Sequence, residues 1–279
     1  MVFIKDNSNQ IDRFKFFGGE PLLAFEDIKE IITQTHDYIG ENYEIVTNTT
    51  LLKPEIWKYM KKYFSLLFFS IDSENIFSYD RIVPFVKEYG IEKKLYFNLV
   101  ISPGKEYIAL EQFEKLYWSG MRGFNILPVY FTKKWNKKDL SNLSVTMKTI
   151  LDYSLRDKYL RLYGFQENLG YDTSLANNTI FIDIDGSIYY SDIVSTFFWK
   201  EFKENLYLWN IEDFDLSCLD VCSFKNEKKY ISSFEGKIYN TVLWQRELHL
   251  LMDYFSHYLN IQNEKQTKSP SERRDYKAK

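Results

Sequence analysis

Between Ile11 and Arg156 short apolar runs alternate with stretches whose apolar residues recur at helical spacing, and this alternation restricts the segment to a parallel sheet with crossover helices. Strands are predicted over Ile11 to Phe17, Tyr43 to Thr47, Leu66 to Ile71, Leu95 to Ile101 and Phe124 to Val129. The run from Leu66 to Ile71 is apolar apart from Ser70, as expected of a strand covered on both faces. Helical faces are carried by Ile28, Ile31, Ile32 and Ile39, then by Ile56, Trp57 and Met60 behind Pro54. Further along they are carried by Ile82, Val83 and Val86, by Leu110, Phe113 and Leu116, and by Leu140, Leu143, Met147 and Ile150 in a helix from about Lys137 to Arg156. Gly40, Gly90 and Gly120 stand where helices should stop. Successive strands begin roughly 25–30 residues apart, close to the ~30 residues of a βαβ unit, so five strand-helix units are expected.

After Gly170 the pattern changes. Thr179 to Ile184 and Ser187 to Tyr190 flank Asp185-Gly186, a favoured hairpin turn. Asn205 to Phe234 reads as loop-rich, and Val242 to Leu259 as an amphipathic helix. The expected division is a main domain over residues 1–160, a small extension over 171–261 and a polar, disordered tail over 262–279.

Composition narrows the function classes. At 279 residues with 45% hydrophobic content the chain can bury a large core, and a net charge of −3 provides no footprint for nucleic acid. Two cysteines cannot form a disulfide framework, and no apolar run approaches the ~20 residues of a membrane span, so a cytoplasmic protein with neither nucleic-acid nor membrane partners is expected. The three histidines are spaced as packed or solvated residues, with His249 and His257 two helical turns apart.

The chemistry-bearing positions lie at predicted strand ends. Gly18, Gly19, Glu20 and Pro21 follow the first strand: bare backbone, a cation acceptor and a fixed turn. Thr47 and Asn48 end the second strand, Asp72 ends the third, and Asn98 lies in the fourth. Strand carboxyl ends are where α/β barrels bind ligands. Taken singly, Asp72 also fits a helix cap and Asn48 a turn residue.

In this order, Gly18-Gly19-Glu20-Pro21 resembles the GGEP motif of radical S-adenosylmethionine (radical SAM) enzymes, which contacts the methionine ammonium of the cofactor. Thr47-Asn48-Thr49 is similar to the family's TNG-type segment, with Thr49 where glycine is usual. Ser70-Ile71-Asp72-Ser73 is similar to its S-x-D-G pattern, Tyr79-Asp80-Arg81 to its H-D-x-x-R region, and Phe124 to Pro128 to its last barrel strand. The resemblance implies an α/β fold, a partial (β/α)6 TIM-like barrel lacking its first strand, followed by a small α+β extension of the SPASM or twitch type. It implies S-adenosylmethionine held by Gly18, Gly19, Glu20, Pro21, Thr47, Asn48, Asp72 and Asn98, with a peptide or small-protein substrate.

The family also implies a [4Fe-4S] cluster on three thiolates of a CxxxCxxC loop upstream of GGEP. Residues 1–23 hold no cysteine, and Val2 to Asn7 looks like the end of the first barrel helix, so an N-terminally truncated family member is expected, with no metal ligands and no activity of its own. Cys218 and Cys222 are spaced CxxxC but lie after the barrel, and Ser191 stands where the extension's hairpin normally reaches a cysteine. Two outcomes follow for such a chain: it works beside a cluster-bearing partner chain, or it is a cluster-free module binding a peptide or nucleoside.

Overall fold

The computed structural model describes residues 4, 8, 11, 13–72, 79–129, 135–163, 181–182, 187–189 and 207–210. The expected Asp185-Gly186 turn, Ser191, Cys218 and Cys222, the helix from Val242 to Leu259 and the tail after Gln262 lie outside them. Along the first part of the chain run β1 (Phe14–Phe16), α1 (Phe25–Ile39), β2 (Tyr43–Thr47), α2 (Pro54–Tyr63), β3 (Phe64–Asp72) and α3 (Tyr79–Tyr89). These are followed by β4 (Leu95–Ile101), α4 (Glu106–Trp118), β5 (Gly123–Pro128), α5 (Lys137–Arg156) and β6 (Arg161–Leu162). The six strands pair in parallel in chain order, β1 and β6 forming the edges of a sheet that does not close. This is the expected α/β partial barrel.

Both edges of the main sheet differ from the sequence reading. The strand expected over Ile11 to Phe17 is confined to Phe14–Phe16, because a parallel edge strand is defined only where β2 supplies partners, and those begin at Tyr43 opposite Phe14. The sheet also does not end at β5: after α5 the chain returns to place Arg161 beside Gly123 and Leu162 beside Phe124.

Strand alternation sorts the side chains onto two faces. One face buries Tyr43, Ile45, Leu67, Phe69, Ile71, Leu95, Phe97 and Leu99 against the helices, where Trp57 of α2 meets Phe69 and Phe113 of α4 meets Phe124 edge-on or tilted. The other, concave face carries a different layer near the amino-terminal strand ends. Buried Glu44 accepts from Arg13 at 3.3 Å, with Lys15 4.0 Å away. The Lys15 ammonium lies over the Phe68 ring, which stacks on Tyr96 and meets Tyr163 edge-on. Arg13, just before β1, also reaches the Tyr163 hydroxyl, just after β6, at 3.4 Å. Side chains therefore bridge the two edges that backbone pairing leaves apart.

The turn from α5 into β6 is fastened by charge. The Asp157 carboxylate pairs with Arg122 at 2.7 Å and accepts from the Tyr117 hydroxyl and the Tyr159 N–H. Burial alone would raise this carboxyl group, but the Tyr159 and Tyr117 hydrogen bonds and the Arg122 charge outweigh it and hold it below the usual range. A depressed carboxylate contributes stability that is complete above the unfolded value of about 4 and disappears as pH falls through the lower folded value. The fall in Tm between pH 5 and pH 3 is therefore expected to be shallower in Asp157→Asn than in the parent; parallel curves in scanning calorimetry would show that Asp157 contributes nothing to acid sensitivity.

Beyond residue 180, β7 (Phe181–Ile182), β8 (Ser187–Tyr189) and β9 (Tyr207–Asn210) form an antiparallel sheet in that order. The first two strands match the expected hairpin. The third lies within the stretch read as loop-rich: Tyr207-Leu208-Trp209-Asn210 shows no alternation of its own and becomes a strand by pairing with β8. No helix among the described residues is long and apolar enough to cross a membrane.

Candidate functional site

Because the main sheet is parallel, the segments after β1, β2, β3 and β4 all emerge along one edge. The first carries Gly18, Gly19 and Glu20. Gly18 has φ +141°, a conformation L side chains rarely adopt, and a Cβ built on Gly18 or Gly19 would meet nothing within 4 Å. The two peptide units therefore face open space. Pro21 then opens a 3₁₀ turn over Pro21–Ala24, where a fixed φ and a missing N–H cost little.

Glu20 is held from three directions. Its Oε1 accepts from the Leu22 N–H at 3.1 Å, capping the turn, and from the Thr47 hydroxyl at 2.8 Å. Its Oε2 accepts from the Asn48 N–H at 2.8 Å. All three donors are neutral, so the carboxylate is oriented with no cation beside it among these bonds. Parallel pairing of β1 with β2 is what brings residue 20 to residues 47 and 48. Asn48 spends its side-chain oxygen on its own turn, accepting from the Thr50 N–H and hydroxyl, so its contribution to Glu20 is backbone.

Thr49, where the resembled family has glycine, keeps a glycine-like backbone: φ is +69°, the sole non-glycine positive φ among the described residues. For a β-branched residue this is a strained conformation. Its N–H points back to the Thr47 Oγ1 at 3.1 Å. Further along the same edge, Arg81 of α3 donates to the Leu52 carbonyl at 2.8 Å and ties the loop after β2 to the next helix.

Asn98 belongs to a second group on the concave face. In register across β3, β4 and β5, Asn98 Nδ2 donates to Ser70 Oγ at 3.4 Å and Asn98 Oδ1 accepts from Asn125 Nδ2 at 2.9 Å. Asn98 is 3% exposed and Asn125 9%. This polar row lies one step below Asp72, whose backbone pairs with Val100 at the end of β3. No described hydrogen bond joins it to the Glu20 group. The structure therefore gathers Gly18, Gly19, Glu20, Pro21, Thr47 and Asn48 at one place, and sets Asn98 in a separate row with Ser70 and Asn125, two residues that the sequence reading quoted within motifs but did not name as site residues. Their signal was a polar residue at matching depth in three successive apolar strands.

An oriented carboxylate beside open glycine backbone suits a ligand bearing an ammonium group, and the residues present fit S-adenosylmethionine on that ground. An iron-sulfur cluster is different. No group of three or more His, Cys, Asp or Glu among the described residues could hold a metal ion, and residues 1–279 contain only two cysteines.

Similarity to known proteins converges on one superfamily. No family model matches the chain. The radical SAM cyclopropyl synthase TigE of Paramaledivibacter caminithermalis is 38% identical over 74 residues, a stretch covering 26% of this chain and 16% of TigE. The solved structure of anSMEcpe with bound AdoMet superposes with a TM-score of 0.66, covering 94% of this chain and 88% of that one at 14% identity. The chain fits the radical SAM superfamily. SuiB of Streptococcus suis has the same fold at a TM-score of 0.56 and 18% identity, covering 85% of this chain and 61% of SuiB. Two further anSMEcpe structures, with TM-scores of 0.64 and 0.66, carry AdoMet together with a peptide, Kp18Cys or Cp18Cys.

Proposed function

We propose that this chain forms the S-adenosylmethionine-binding part of a radical SAM enzyme that modifies a peptide. The observation carrying this is Glu20, a carboxylate fixed by Leu22, Thr47 and Asn48 beside two open glycines at a strand end. In this reading Glu20 receives the methionine ammonium, the Gly18 and Gly19 backbone lies against the methionine part, and Asp72 and Asn98 serve the remaining polar groups. S-adenosylmethionine supplies, when bound, a sulfonium whose reductive cleavage starts hydrogen abstraction from the substrate. The cluster for that cleavage would take its thiolates from outside residues 1–279, from a cluster-bearing partner chain or segment. A peptide substrate is supported by the peptides bound in the anSMEcpe structures.

A cluster-free module for a peptide or nucleoside is the second reading, favoured by the count of two cysteines. Equilibrium dialysis tests the first. Radiolabelled S-adenosylmethionine is expected to bind saturably at one site and to be displaced poorly by adenosine, which lacks the ammonium group. Equal displacement by adenosine would favour the nucleoside reading, and absence of saturable binding would contradict the proposal.

A further inference from the structure

We infer that Thr47 is a positioning residue that fixes the Glu20 carboxylate before any ligand arrives, and that the Thr49 N–H sets the direction of the Thr47 hydroxyl. The Thr47 oxygen accepts from the Thr49 N–H at 3.1 Å. With that lone pair occupied, its hydrogen is directed to Glu20 Oε1, 2.8 Å away. The relay runs one way because a backbone N–H only donates and an ionised carboxylate only accepts. Thr47 is 1% exposed and Thr49 5%, so water does not compete for either group, whereas Asn48 between them is exposed. The Thr49 N–H is aimed back at Thr47 by the turn through Asn48, and Thr49 itself continues that turn with a left-handed backbone. A strained backbone held by buried hydrogen bonds marks a place where geometry is fixed in advance. Fixing the carboxylate beforehand removes an ordering cost from ligand binding.

The Asn48 N–H reports this directly, because it is on an exposed residue and is protected by its bond to Glu20 Oε2. In the ligand-free protein, Thr47→Val is expected to speed hydrogen exchange at Asn48 about tenfold, the effect of losing one hydrogen bond to a charged acceptor. Thr47→Ser, which keeps the hydroxyl, should stay within about twofold of the parent by the same reasoning. The Phe69 amide in the central sheet, followed in the same samples, separates a local change from loss of global stability. An unchanged Asn48 rate in Thr47→Val, or equal acceleration in the valine and serine variants, would overturn the inference.

The ligand half rests on the proposed S-adenosylmethionine reading and has its own readout. The dissociation constant for S-adenosylmethionine should rise about tenfold in Thr47→Val and be restored in Thr47→Ser. An unchanged constant alongside faster exchange would refute the link between Glu20 orientation and binding. If the parent binds no S-adenosylmethionine, the functional reading fails while the exchange experiment still decides the positioning role.

Discussion

Gly123→Ala is expected to destabilise the protein by about 3 kcal/mol or more, at the upper end of overpacking effects. A Cβ on Gly123 would fall on the Leu95 carbonyl oxygen of the neighbouring strand, far inside contact distance, and 2.9 Å from Arg161 Nη2. Neither neighbour can withdraw freely. Leu95 is in the β4 ladder, and Arg161 donates to the carbonyls of Lys93, Glu92 and Leu95 at 2.6, 2.7 and 3.2 Å while its guanidinium lies over the Tyr96 ring. One methyl group therefore separates β4 from β5 and displaces the side chain by which β6 grips the start of β4. Urea denaturation should show a large fall in Cm with an unchanged m-value. A change below about 1 kcal/mol would mean that the strands part without cost, contrary to the packing described.

The second large effect concerns binding. Glu20→Gln preserves shape and most of the acceptor capacity but removes the charge, and it is expected to weaken S-adenosylmethionine binding about 10- to 100-fold, the range for a hydrogen bond to an ionised acceptor. The fold should tolerate the change, because the amide oxygen can still accept from Thr47 or Asn48. Loss of affinity without loss of Tm distinguishes this from the Gly123 case.

Much of the architecture was legible because local pattern and tertiary role agreed. β2, β4 and α5 begin and end where the apolar period and the flanking glycines or capping residues place them, Asn136 and Asp139 forming a reciprocal cap on α5. The start of β3 was hidden because α2 passes into it with no turn residue between: Phe64 still donates to the Met60 carbonyl while its own backbone is already extended. β6 is two residues long and β9 has no alternation, so neither shows a period; both exist because a neighbouring strand pairs with them. Gly123 looks like punctuation in the sequence and is a packing requirement in the sheet.

At the site, residue types were legible and partnerships were not. The Gly18-Gly19-Glu20-Pro21 run marks a cation acceptor, but its bonds to Thr47 and Asn48 cross 27 and 28 residues and depend on parallel register. Thr49 looked like a departure from a glycine pattern; its positive φ is one that glycine adopts more readily than threonine. Ser70 and Asn125 stood inside apolar runs, and their meaning emerged only when register set them beside Asn98.

In the proposed function Glu20, held just past the end of β1 by the end of β2, accepts the ammonium group of S-adenosylmethionine. Side-by-side titration calorimetry of the parent and Glu20→Gln tests it most directly. The expected result is a saturable, one-to-one isotherm for the parent and a dissociation constant at least about tenfold higher for the variant at equal thermal stability. Indistinguishable isotherms for the two proteins would contradict it.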